Sequence, residues 1–280
     1  MQQLILSNLL EAELQGFRLE RERRYQQARL AFQQELRAYD DEIVALTNTY
    51  RAAFRGVRLF RGTRAWWQYR RLHKRGDPLP PTPEGPTAEE QKRQAAAEGE
   101  QRLAAELLTT LPGDAWTLVK GYRNQKGDID YLVIGPVGIL AIDCYHPAGT
   151  ILCTQDRWIR QTYDRAGAPV TQVPIQDRTG RSPSRQLNEP ALHLMESLSQ
   201  RGVIGEIHRA IILMHPDVRL SPPEVPTVQI FLLSHVQRLL WETCRSASRS
   251  LPLETVVEFV KEDYRQCEER RGADLHHQQA

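Results

Sequence analysis

The sequence predicts an α/β domain with a mixed sheet, preceded by a long helical, coiled-coil-like arm. Three observations predict it. Apolar side chains recur at helical spacing through the first 57 residues, five prolines crowd the stretch from Gly76 to Thr87, and beyond them short β-type runs alternate with helical segments. The chain has 280 residues, of which 40% are hydrophobic and 26% charged. These are ordinary values for a folded protein with room for one sizeable core and an appendage.

Residues 4 to about 57 read as one long helix, or as two. Its apolar positions are Leu10, Leu14 and Phe17, then Tyr25, Ala28, Phe32, Leu36, Tyr39, Ile43, Leu46, Tyr50, Phe54 and Val57. From Tyr25 to Val57 nine steps cover 32 residues, the period of a stripe along one helix face. Arg21 stands where the stripe should continue, and Gly16 is a second weak point. A stripe this long must bury itself against a second copy, a returning helix or the rest of the protein. A coiled-coil-like arm, with a homo-oligomer as one outcome, is the expectation.

The arm continues through Arg51 to Gly76, which carries nine Lys or Arg residues and no Asp or Glu. Arg51, Arg55, Arg58, Arg61, Arg64, Arg70, Arg71 and Lys74 are its candidate phosphate contacts, joined by Arg75 and interleaved with Phe54, Phe60, Trp66, Trp67 and Tyr69. Cations neutralise phosphates, and aromatic faces stack on exposed bases or sit at a lipid interface. Nucleic acid, a membrane surface or acidic partner, and a merely solvated helix all fit this composition. Adjacent Trp66 and Trp67 cannot both face one core, which favours a binding surface. Five prolines in the twelve residues from Gly76 to Thr87 forbid a helix and set the clearest domain boundary.

Thr87-Ala-Glu-Glu90 is a capping-box pattern opening a helix that runs to about Thr109. Strands are expected at Trp116–Gly121, Asp128–Ile134 and Val137–Cys144, the last two turning at Gly135–Pro136. Further hairpins are expected at 150–160 and around Gly167, then a loop at 171–185 carrying Arg178, Arg181 and Arg185. A helix is expected from Pro183 to Gly202, strands at 207–214 and 228–234, and a last helix after Pro252 ending in a frayed tail with two solvent-exposed histidines.

Several classes are excluded or disfavoured. GxxxxGK[ST] and GxSxG are both absent. Four cysteines without a CxxC pair give no disulfide framework or zinc site and suit a reducing cytoplasm. The opening MQQLILSNLLEAELQ lacks a positively charged lead, so no secretory signal is expected. The longest nearly apolar run, Tyr131–Ile142, is too short and too interrupted by glycine and proline to span a bilayer.

The chemistry concentrates in Gly127–Tyr145. Asp130 begins one apolar strand and Asp143 ends the next, so an antiparallel hairpin places them side by side. Ionised carboxylates at the ends of buried strands are costly unless paired or holding a cation, and Mg²⁺ prefers oxygen ligands. Spacing alone leaves two readings open: a metal site, or two exposed strand-end aspartates.

The run GDIDYLVIGPVGILAID resembles the nuclease-related domain (NERD), a branch of the PD-(D/E)XK nuclease superfamily. Gly99-Glu100, Gly149-Thr150-Ile151, Trp158 and Pro183-Ser184-Arg185-Gln186 extend the resemblance over roughly residues 88–235. It implies a restriction-endonuclease-like core, bounded at 88–245; the residue pattern adds a basic helical, coiled-coil-like arm at 1–76, a Pro-rich linker at 77–87, and a C-terminal helix and tail at 246–280. The resemblance also implies action on DNA through an active site at Glu100, Asp130, Asp143 and Gln186, the carboxylates holding Mg²⁺, with the family's catalytic Lys falling on Tyr145. A neutral phenol cannot replace an ammonium group. Three readings follow: a metal site with weak or lost hydrolysis, another cation (Lys126, Lys120, or less suitably Arg185 or His146) in place of the Lys, or a pseudoenzyme fold kept for binding. The alternative from another class is a non-enzymatic oligomeric scaffold.

Overall fold

The computed structural model describes residues 2–55, 59–111, 113–136, 138–164, 166–245 and 251–279. They group into two compact units, 13–91 and the combination of 1–12 with 92–280. No helix among the described residues is long and apolar enough to cross a membrane.

The first departure from expectation is at the start. Leu4 and Ile5 do not open the long helix. They belong to strand β1 (Gln2–Ile5), which pairs in parallel with β2 (Thr117–Asn124). Ser7 then hydroxyl-bonds to the Gly121 carbonyl at 2.9 Å, and α1 (Leu9–Arg55) begins beyond it. Two apolar residues fit a strand as well as a helix, and tertiary pairing decides between them.

Within unit 13–91, α1 is followed by α2 (Leu59–Arg75). Leu14 is buried, and Phe17, Tyr25, Phe32, Leu36, Tyr39, Ile43 and Leu46 are half-buried on the expected face. Ala28 is exposed; the side chains of Tyr50 and Phe54, and Val57 as a whole, lie outside the described residues. Arg21 continues the stripe because its guanidinium grips the buried Glu90 at 2.5 Å. Glu90 opens α3 (Ala88–Thr110). The expected cap is half present: the Thr87 hydroxyl accepts from the Glu90 amide at 3.1 Å, while the Glu90 carboxylate is taken by Arg21.

In the other unit, β3 (Gly127–Gly135) and β4 (Gly138–Tyr145) form the expected hairpin. A second hairpin pair follows in β5 (Gly149–Thr154), β6 (Arg157–Tyr163) and β7 (Pro169–Pro174), so part of the expected loop is a strand. Next come α4 (Pro183–Gln200), β8 (Ile207–Leu213), β9 (Val218–Leu220), β10 (Gln229–Leu232), α5 (Val236–Arg245) and α6 (Leu253–Gln279). Helix α4 is capped by Ser182, with Pro183 in its first turn. The expected frayed tail is instead helical to Gln279, and the side chains of its two histidines lie outside the described residues.

The strands form a six-stranded mixed sheet ordered β1-β2-β3-β4-β8-β10 and a four-stranded sheet ordered β7-β6-β5-β9. The larger sheet is covered on both faces. Leu103 and Leu107 of α3 and Leu239 of α5 pack on one face with Leu118, Tyr131 and Ile142. Leu187 and Leu194 of α4, Val256 and Val260 of α6, and Ile151 and Trp158 of the smaller sheet pack on the other. Two-sided burial explains the nearly continuous apolar run of β3. Each fully buried leucine contributes roughly 1.5–3 kcal/mol.

Close approach fixes the hairpin's glycine. A Cβ on Gly135 would enter the ring of Trp116. Gly135→Ala is therefore expected to lower stability by about 1–3 kcal/mol through overpacking, measured by urea unfolding; an unchanged midpoint would show that the Trp116 ring yields.

Candidate functional site

The site begins with a break in the sheet. Val119 and Tyr122 of β2 line the same face although three residues apart, as do Ile129 and Leu132 of β3. Side chains of a regular strand alternate, so both strands change alternation between those residues, at Gly121 and Asp130. Gly121 supplies the left-handed conformation this needs, with φ 73°.

On the other side of β3 the ladder with β4 stops at Tyr131 opposite Ile142. Beyond it, side chains take over from backbone. Asp143 Oδ1 accepts the Asp130 amide at 3.3 Å, and Asp130 Oδ2 accepts the Cys144 amide at 2.7 Å. Each carboxylate is left with one oxygen, Asp130 Oδ1 and Asp143 Oδ2, without a hydrogen bond among the described residues.

The surroundings raise both pKa values. Burial is the largest cause at Asp130, followed by the nearby Glu100 charge, with the Cys144 amide opposing. At Asp143 burial is again first and the Asp130 charge second. Glu100, on α3, is itself raised by burial and restrained by Lys120, whose Nζ lies 3.3 Å from its carboxylate. Three carboxyl groups thus act on one another, with Asp130 in the middle.

Asp130 and Asp143 line a pocket of about 770 Å³ with Tyr145, Gln186, Lys126, Arg123, Arg181 and Arg271 among its walls. Tyr145 donates its hydroxyl to Gln186 Oε1 at 2.9 Å, and Gln186 Nε2 donates to the Arg181 carbonyl at 2.9 Å. Burial, then the Asp143 and Asp130 charges, push the Tyr145 phenol further above its ordinary value. It is neutral and supplies no cation.

Of the residues expected from sequence, Asp130, Asp143, Tyr145, Gln186 and Arg181 meet at this pocket. Glu100 does not line it; its carboxylate is held by Lys120 on the side of the sheet covered by α3. Arg178 is exposed outside the lining, and Arg185 reaches Glu189 at 2.7 Å. His146 stacks edge-on against His215, at 4.8 Å between ring centres. In the separate basic segment, Arg51, Arg64, Arg70, Arg71 and Lys74 are exposed, and the Arg70 guanidinium lies 5.3 Å over the Trp66 ring. Arg58 and the side chains of Arg55 and Arg61 lie outside the described residues.

Sequence reasoning missed Arg123 and Arg271. Arg123 pairs with Asp128 and, at 3.2 Å, with Glu268 of α6. The only signal was the Arg-x-x-x-x-Asp spacing across the β2–β3 turn; nothing local announced that α6 returns to this edge.

Among the described residues no group of three or more His, Cys, Asp or Glu side chains is disposed to hold a metal ion. Buried Asp143 and half-buried Asp130, each with one oxygen free of hydrogen bonds among the described residues, still fit a hard divalent cation that keeps several of its waters. Without such an ion their burial costs stability. A carboxyl whose folded pKa exceeds its unfolded one binds its proton more tightly when folded. The cost is therefore absent below the unfolded value, near 3.9, and grows as pH rises toward the folded one. Asp143→Asn keeps the Oδ1 acceptor and removes the charge. In chelator at pH 8 it is expected to unfold later than the wild type by about 1–3 kcal/mol, or roughly 2–4 °C per kcal/mol. Near pH 4 the difference vanishes. Calorimetry showing a variant less stable at pH 8 would contradict this account.

Comparison with known families gives one match: residues 95–214 fit the nuclease-related domain, NERD. No curated protein and no solved structure matches the chain. The matched residues contain the β3–β4 hairpin, both aspartates, Tyr145 and Gln186, so the similarity to the nuclease-related domain falls on the part of the chain that builds the pocket.

Proposed function

We propose that the protein acts on or binds DNA through this domain, with Mg²⁺ held by Asp130 and Asp143 and with weak or lost phosphodiester hydrolysis. The supporting observation is the carboxylate pair facing a pocket with a cationic rim inside the stretch that matches the nuclease-related domain. When bound, Mg²⁺ would polarise the phosphate and lower the pKa of a water. The chain's own residues do the rest. Asp143 is held by the Asp130 amide and Asp130 by the Cys144 amide, so their remaining oxygens need little reorganisation. Tyr145, tied to Gln186, shapes the wall and offers no charge. Lys120 is committed to Glu100, although its charge reaches Asp130. Loss of one charge-stabilising donor costs roughly a hundredfold or more in rate, which is the ground for expecting slow or absent turnover.

Supercoiled plasmid with Mg²⁺ or Mn²⁺ tests this. Any nicking is expected to disappear in Asp130→Ala. Tyr145→Lys is expected to raise cleavage by about ten- to a hundredfold. No gain, with the fold intact, would mean that the carboxylate pair does not support hydrolysis.

A second reading, a non-enzymatic oligomeric scaffold, is favoured by the half-buried apolar stripe of α1. Multi-angle light scattering on the full chain discriminates: a dimer or larger species supports it, and a monomer at 32.2 kDa removes it.

A further inference from the structure

Four cations line the pocket: Arg123, Lys126, Arg181 and Arg271. Two are already neutralised. Arg123 is held by Asp128 and Glu268, and Arg181 by Asp177 at 2.9 Å and Glu189 at 3.1 Å. Lys126 has no ion pair among the described residues, and its backbone is fixed on both sides. Its amide donates to Asn124 Oδ1 at 2.9 Å, and its carbonyl accepts from Arg181 Nη1 at 3.3 Å. Arg271 lies 3.9 Å from Glu268, a carboxylate that Arg123 approaches more closely, at 3.2 Å. Its side chain is 55% exposed. The helix that carries it is anchored just before it, by Asp263 accepting the Tyr122 hydroxyl and by the buried Cys267.

An unpaired lysine and an arginine held only by a long ion pair, both on pinned elements at one polar pocket, make a site for an anion. Among the described residues Tyr145 is the one aromatic side chain lining it, so the pocket offers a nucleic acid mainly charge rather than a stacking platform. We propose that Lys126 and Arg271 clamp the backbone of bound DNA, each at its own phosphate, which makes α6, outside the matched residues 95–214, a working part of the nucleic-acid surface. The proposal rests on the nucleic-acid reading above and adds the residues and the contact type.

The test is fluorescence anisotropy of the full chain with a labelled 20-base-pair duplex in EDTA, across a range of NaCl concentrations. A lost phosphate contact lowers the slope of log affinity against log salt by about 0.9. Lys126→Ala and Arg271→Ala are each expected to show that drop and about fivefold weaker binding at 0.15 M salt. Arg271→Lys should restore the slope, since a point charge suffices for a phosphate. Circular dichroism confirms that each variant folds. A wild-type slope in both alanine variants overturns the clamp and leaves DNA binding standing. A wild-type chain that binds no duplex at any salt overturns the clamp and the DNA reading together.

Discussion

The organising constraint is the exchange between Asp130 and Asp143 at the place where β3 and β4 part. A backbone amide buried at a strand end must find an acceptor. Here two amides find carboxylates from the opposite strand. The exchange closes the hairpin, and it also draws two acids into low dielectric, where burial disfavours ionisation of both, Glu100 adds to it at Asp130 and Asp130 adds to it at Asp143. One local solution to a hydrogen-bonding problem creates the electrostatic tension that makes the pocket distinctive.

The neighbouring charges are arranged around that tension without relieving it. Lys120 spends its ammonium group on Glu100 and the face of Tyr131, 5.8 Å from the ring centre. Arg123 and Arg181 are held in ion-pair networks at the rim. At the position next to the acids, Tyr145 and Gln186 form a neutral hydrogen-bonded wall. Among the described residues the pocket therefore has an acidic floor and a basic edge with no cation hydrogen-bonded to either aspartate.

Much of this was legible in the chain. The Gly135–Pro136 turn, the apolar strands on either side and the two aspartates at their far ends dictate the hairpin and bring Asp130 beside Asp143. Ser182-Pro183 announces α4, and α4 delivers Gln186 to Tyr145. Local pattern fails where long-range pairing decides. Leu4 and Ile5 carry no mark distinguishing an edge strand from a helix start. The expected elements pass over helix α5, although Val236, Leu239, Leu240 and Thr243 are buried at helical spacing. Arg271 lies 148 residues beyond Arg123, and only tertiary packing of α6 on β2 places both at one pocket. Glu100 was correctly placed on a helix, but its salt bridge to Lys120 depends on where that helix docks.

The parallel pairing of Gln2–Ile5 with Thr117–Lys120 carries a kinetic consequence. Its closure spans about 115 residues, and for a flexible chain that costs about 2 kcal/mol more than a ten-residue loop. The intervening segment forms a compact unit of its own, so helix formation there shortens the distance to be closed. During synthesis, Gln2–Ile5 must wait for the segment near residue 120 before their backbone finds these partners. The amino-terminal edge is thus a late, sequence-distant seal on the sheet, and its amides are expected to open to solvent exchange before those of the β3–β4 centre.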